Sequence, residues 1–157
     1  KRRAAIRRNH RALTDPAELE SILREAVVCR MGLCDGEVPY VVPMNYGYRD
    51  GSVFLHSAIE GRKIELLRKN PNVCLEFEKD VELIPAESAC SFSMKYRSVI
   101  ASGKAVFLEG PEEKAQGLNV IMGQYTGKEF EFPPQALERI VVIRVDLEDC
   151  SGKHNRC

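Results

Sequence analysis

Between residues 56 and 63 the chain reads His56-Ser57-Ala58-Ile59-Glu60-Gly61-Arg62-Lys63. The segment ends a β-type run, passes a glycine and opens a helical pattern. A turn of that kind exposes backbone N–H groups at the positive end of a helix dipole. Arg62 and Lys63 add two full charges there, and Ser57 adds a hydroxyl. A phosphate dianion suits that set of donors. The same residues also describe an ordinary solvated basic turn, and the residues alone leave both readings open.

Two further segments carry polar groups in unusual places. Tyr96-Arg97-Ser98-Val99 puts a cation inside an apolar strand pattern, where it must face solvent, pair, or meet an anionic ligand. Val42-Pro43-Met44-Asn45-Tyr46-Gly47-Tyr48 is interrupted by proline, which leaves main-chain groups outside a regular ladder. Such groups, with the amide of Asn45, can hydrogen-bond the rim of a planar heterocycle. They equally describe a twisted edge strand with core tyrosines. His56 is the one histidine expected within the folded body and the candidate proton donor near neutral pH; a structural histidine is the plainer alternative.

The elements that would position these residues follow from pattern. A helix is expected over 15–27, with Asp15 as N-cap, Pro16 at its first position and Leu19, Ile22, Leu23, Ala26 and Val27 on one face. Strands are expected over 28–33, 38–48, 52–57, 73–77, 95–108 and 140–147. Asp35-Gly36 and Arg49-Asp50-Gly51 read as hairpin turns. Pro39 and Pro43 place 38–48 at an edge, and Gly103 marks a bulge. Helices are expected over 61–69 and 111–125, irregular segments over 79–89 and 130–134, and a tail over 148–157. About six strands joined by hairpins, with few helices, predict a mainly β (α+β) fold: an antiparallel barrel with peripheral helices. A single domain over 1–147 followed by the tail fits the 157 residues.

Composition narrows the function classes. Lysine plus arginine and aspartate plus glutamate number 23 each, so no global charge draws the chain to nucleic acid or membrane. Lys1, Arg2, Arg3, Arg7, Arg8 and Arg11 form a basic arm without interleaved aromatics, which reads as a solvated terminus rather than a base-stacking surface. No run reaches the roughly 18 apolar residues of a membrane span, and a cytoplasmic protein is the expectation. The six cysteines include no CxxC pair and no nearby histidine cluster, so no metal site is expected. Most of them read as small buried apolar groups.

Taken together and in register, these motifs resemble the FMN-binding split-barrel proteins similar to pyridoxamine 5′-phosphate oxidase. The closer likeness is to the 5-nitroimidazole-resistance branch. The residues that carry it are Leu13-Thr14-Asp15-Pro16, Cys29 to Leu33, Pro39 to Tyr48, His56-Ser57-Ala58 with Gly61-Arg62-Lys63, and Tyr96 to Val99 followed by Gly103-Lys104-Ala105. The resemblance implies a split barrel, a homodimer, and FMN between the subunits. It implies that Arg62 and Lys63 grip the FMN phosphate, that His56 and Ser57 line the site, and that the backbone of Val42, Pro43, Met44, Asn45 and Tyr46 follows the flavin ring. Arg97 and Ser98 complete the implied set, with serine where the oxidases carry glutamine. Gln124 and Tyr125 would reach the cleft from the other subunit. Reduction of a small nitroaromatic compound is the implied activity. Vitamin B6 oxidation is disfavoured, because the short Ser151-Gly152-Lys153-His154 tail shows no evident equivalent of the arginine-containing segment with which the oxidases hold pyridoxal phosphate. The alternative is a non-catalytic binder of flavin, haem or a deazaflavin on the same fold.

Overall fold

The computed structural model describes residues 9–155. Lys1 to Arg8 of the basic arm, and Cys157, lie outside the described residues. A short 3-10 turn (Asn9–Arg11) and strand β1 (Ala12–Leu13) lead into helix α1 (Pro16–Glu25). Asp15 caps α1 as expected, its side chain accepting from the Ala17 N–H at 3.0 Å. Strands β2 (Cys29–Asp35), β3 (Val38–Met44), β4 (Tyr46–Arg49) and β5 (Ser52–Ala58) follow, then helix α2 (Arg62–Lys69). The long strands β6 (Asn72–Ile84) and β7 (Ser93–Leu108), helices α3 (Pro111–Thr126) and α4 (Pro134–Glu138), and strand β8 (Ile140–Asn155) complete the chain.

Every strand pairing is antiparallel. The sheet runs β3-β2-β6-β7-β8-β5-β4, with β1 added to β8. Its two edge strands, β3 and β4, are separated in sequence by Asn45 alone. The sheet must therefore curl until its edges meet at that residue, which makes it a split barrel. Pro39 and Pro43 do lie on an edge strand, where a missing N–H costs no ladder bond. Asp50 and Gly51 both adopt positive φ, 50° and 79°, as a tight hairpin of the primed type requires. The expected bulge appears as a register shift between Ser102 and Gly103.

The interior is lined by alternate residues of the strands, including Met31, Leu55, Leu75, Phe77, Val99 and Ile143, and is closed by Ile22 and Leu23 of α1 and Ile64 and Leu67 of α2. A second cluster, Leu108, Leu118, Ile121, Leu137 and Val142, seats α3 and α4 on the outside. There the α3 backbone lies so close to β4 that a Cβ on Gly47 would meet Val120 carbonyl atoms at 2.5 Å, so only glycine fits.

Three expectations are corrected. Residues 148–155 are not a tail but the second half of β8, paired to β7 from Cys150 to Asn155. Residues 79–84 are not irregular but continue β6 past a register shift between Lys79 and Glu82. The cysteines divide: Cys29 is fully buried and Cys150 half-buried, while Cys34, Cys74 and Cys90 are exposed, and all five are free. Burial pushes the Cys29 thiol up to about 12, so it stays protonated and packs as an apolar group. Among the described residues no three His, Cys, Asp or Glu side chains gather as a metal site, and no helix is long and apolar enough to cross a membrane.

Candidate functional site

The turn ahead of α2 is built by Gly61, whose φ of 126° is a conformation other residues rarely adopt. Among the described residues no side chain caps α2, which leaves its first N–H groups available. Arg62 and Lys63 are the first two helical residues. The Arg62 guanidinium meets the β2–β3 hairpin, with Asp35 Oδ2 at 3.0 Å and the face of the Tyr40 ring 4.5 Å from its centroid. This places two cations and an uncapped helix start beside the hairpin, at the rim of the sheet.

From that hairpin the outer face of β3, β2 and β6 carries a shallow depression of about 440 Å³. Gly32 forms its floor, and Val41, Arg30, Cys74, Glu76 and Glu78 form its walls. Arg30 is held between Glu76 and Glu78, at 3.1 Å from each carboxylate. The Cys74 thiol, although it opens onto the sheet's face, is pushed upward first by the desolvation its neighbours impose and then by Glu76, so it is a weak nucleophile. Ser98 pairs directly with Glu78 and therefore shares this face. Pro43, opposite Arg30 in the ladder, shares it as well.

A family model described as pyridoxamine 5′-phosphate oxidase matches residues 15–154, nearly the whole of the described chain. The chain belongs to the pyridoxamine 5′-phosphate oxidase-like family. Among solved structures it is similar to a candidate 5-nitroimidazole antibiotic resistance protein from Bacteroides thetaiotaomicron, at 39% identity over 90% of this chain and 85% of that one, with a TM-score of 0.82. The flavocytochrome Anf3 of Azotobacter vinelandii shares the fold at 22% identity, covering 98% of this chain and 73% of its own (TM-score 0.84). So does an FAD and haem binding protein of Mycobacterium smegmatis, at 14% identity over 94% and 74% (TM-score 0.84). An uncharacterised Rhizobium meliloti protein is 26% identical over 87 residues, and the chain spans about half the length of that curated relative.

Within this family framework, the structure sorts the residues singled out from sequence. Strand alternation sends neighbours to opposite faces. Ser57 points into the barrel and is buried, whereas His56 is exposed on the other face. Val42 and Met44 likewise turn inward, while Pro43 faces out. Arg97 and Ser98 separate in the same way. Arg97 donates to Asp80 at 2.6 Å and lies near Glu25, on the side facing α1. Of the choices open to it, pairing is the one taken. Lys79 bonds Glu25 beside it and holds that carboxyl below its usual range.

Gln124 and Tyr125 both make hydrogen bonds within their own chain. Gln124 Oε1 accepts the Tyr48 N–H at 3.1 Å, and its amide donates to the carbonyls of Leu23 and Arg24 at 3.1 and 2.9 Å. The Tyr125 hydroxyl accepts the Tyr46 N–H at 3.1 Å and donates to Val27 O at 2.7 Å. Asn45 Nδ2 lies 3.4 Å from the same hydroxyl. The N–H of Tyr46 is thus occupied within its own chain. Sequence reasoning passed over Asp35, Tyr40, Gly32 and Val41. Period-two alternation applied to 30–34 and 39–43 would have placed Gly32 and Val41 on one face.

Proposed function

We propose that the chain binds FMN and acts as an FMN-dependent reductase of small electron-poor aromatic compounds, with 5-nitroimidazoles as the substrate class. The observation that carries this reading is the uncapped start of α2 behind Gly61, with Arg62 and Lys63 as its first two residues. A phosphate monoester matches that donor set in charge and in number of acceptor oxygens. Arg62 and Lys63 would hold the phosphate. On the outer face of the sheet the main chain around Pro43 and the side chain of Ser98 would meet the flavin ring, whereas Ser57 and Arg97 turn to the opposite face and would act only through the strands that carry them. His56, exposed at the end of β5, is the side chain assigned to proton delivery. Bound FMN supplies the redox chemistry, accepting electrons from a donor and passing them on. The likeness at 39% identity to the candidate nitroimidazole resistance protein supports the substrate class.

The test is anaerobic turnover of a 5-nitroimidazole by purified protein, with a chemical reductant and a matched concentration of free FMN as control. The expected result is reduction faster than free FMN provides. A rate equal to the control would reject the reductase reading and leave FMN binding standing.

A homodimer belongs to the same proposal. The outer face of the sheet leaves Val41 and Ile100 more than half exposed, and Leu83 and Met94 add apolar surface on the β6–β7 extension. Burial of such a patch against a second copy is favourable. Light scattering is expected to give twice the chain mass. A monomer that keeps FMN would overturn the shared arrangement.

A further inference from the structure

Arg62 has partners within its own chain. Its guanidinium sits 3.0 Å from the Asp35 carboxylate and over the Tyr40 ring. Asp35 ends β2 and Tyr40 lies across the hairpin in β3, so both are fixed by the sheet rather than by α2. Asp35 and Arg62 are 43% and 54% exposed, which keeps the pair open to exchange. A carboxylate and a phosphate oxygen compete for the same N–H groups. We propose that Asp35 is an internal competitor for the anionic ligand of the α2 turn: it holds Arg62 on Tyr40 and must be displaced by the incoming phosphate. This rests on the phosphate reading of the turn given above.

The physical consequence is discrimination by charge. A singly charged anion merely substitutes for Asp35 at Arg62. A phosphate monoester carries nearly two charges and three acceptor oxygens, so it can engage Arg62, Lys63 and the helix N–H groups together and displace the carboxylate. Asp35 thereby lowers affinity for every anion, and only a ligand making the additional contacts overcomes it. Tyr40 keeps the guanidinium in place as the carboxylate leaves.

The experiment compares wild type with Asp35→Asn, and with Asp35→Ala as a second variant, for binding of FMN and of riboflavin by flavin fluorescence. FMN is expected to bind both variants about two- to fivefold tighter in low salt, the range of an exposed ion pair. The gain should shrink as salt is raised. Riboflavin has no phosphate and should bind all three proteins alike, which separates competition at Arg62 from a general change in the hairpin. FMN affinity that is unchanged or weaker in both variants, while wild type still prefers FMN to riboflavin, would overturn the inference alone. Equal wild-type affinity for FMN and riboflavin would instead bring down the phosphate reading, and the inference with it.

Discussion

Replacing Arg62 and Lys63 together with alanine is expected to strip FMN from the purified protein. Each lost contact is a charge-assisted hydrogen bond, a class worth roughly 1.5–3 kcal/mol. Arg62 is about half exposed, so solvent screening puts its contribution at the lower end. Together the two changes should cost about 3 kcal/mol, or roughly a hundredfold in affinity. The fold should not suffer, because α2 is anchored by Ile64, Leu66 and Leu67, which are buried and untouched. Flavin absorbance after desalting and the melting temperature separate the two effects. Full flavin occupancy in the double variant would remove the α2 turn from the binding site. A collapse in melting temperature would show instead that the two side chains hold the hairpin to the helix.

What could be read in the sequence was what the local backbone dictates. Asp50-Gly51 announced a primed turn, Pro39 and Pro43 an edge strand, and Gly103 a bulge, because each is a constraint on a few dihedral angles or on one missing N–H. The second half of β8 was hidden for the opposite reason. Glu148, Asp149, Ser151, Lys153 and His154 show no apolar alternation, and they are a strand because β7 supplies a long partner edge. The continuation of β6 was hidden by Asp80, whose φ of 56° sits within the register shift between Lys79 and Glu82.

The candidate site divides along the same line. The turn ahead of α2 was legible because its glycine, its cations and its helix are contiguous. The depression was not, because Arg30, Val41 and Cys74 come from three strands and meet only through the sheet's register. The face on which a residue points was legible in principle from strand alternation. Yet the resemblance joins His56 with Ser57, and Arg97 with Ser98, although neighbours on a strand point apart. A resemblance transfers positions along a chain; register and pleat decide which of those positions can share one ligand.

The joint that holds the entry to β4 can be tested through Tyr46. Its ring is fully buried and packs edge-on against Phe77, with centroids 4.9 Å apart. Its hydroxyl lies 2.7 Å from Leu23 O and 2.9 Å from Ala26 O, at the C-terminal end of α1. A helix end leaves its last carbonyls without intrahelical partners, and here Tyr46 and Gln124 supply the missing donors to Leu23, Arg24 and Ala26. Tyr46→Ala removes a large buried ring and should cost about 3–5 kcal/mol, a third or more of the roughly 5–15 kcal/mol that holds a typical domain folded. Tyr46→Phe keeps the ring and deprives the Ala26 carbonyl of its donor while Leu23 O retains the Gln124 amide, for a smaller loss of roughly 1–3 kcal/mol. Urea denaturation of the two variants apportions the effect between packing and capping. If Tyr46→Phe proves as damaging as Tyr46→Ala, the hydroxyl rather than the ring fastens α1 to the barrel. If neither loses more than a few tenths of a kcal/mol, the closure of the sheet at Asn45 owes nothing to this contact.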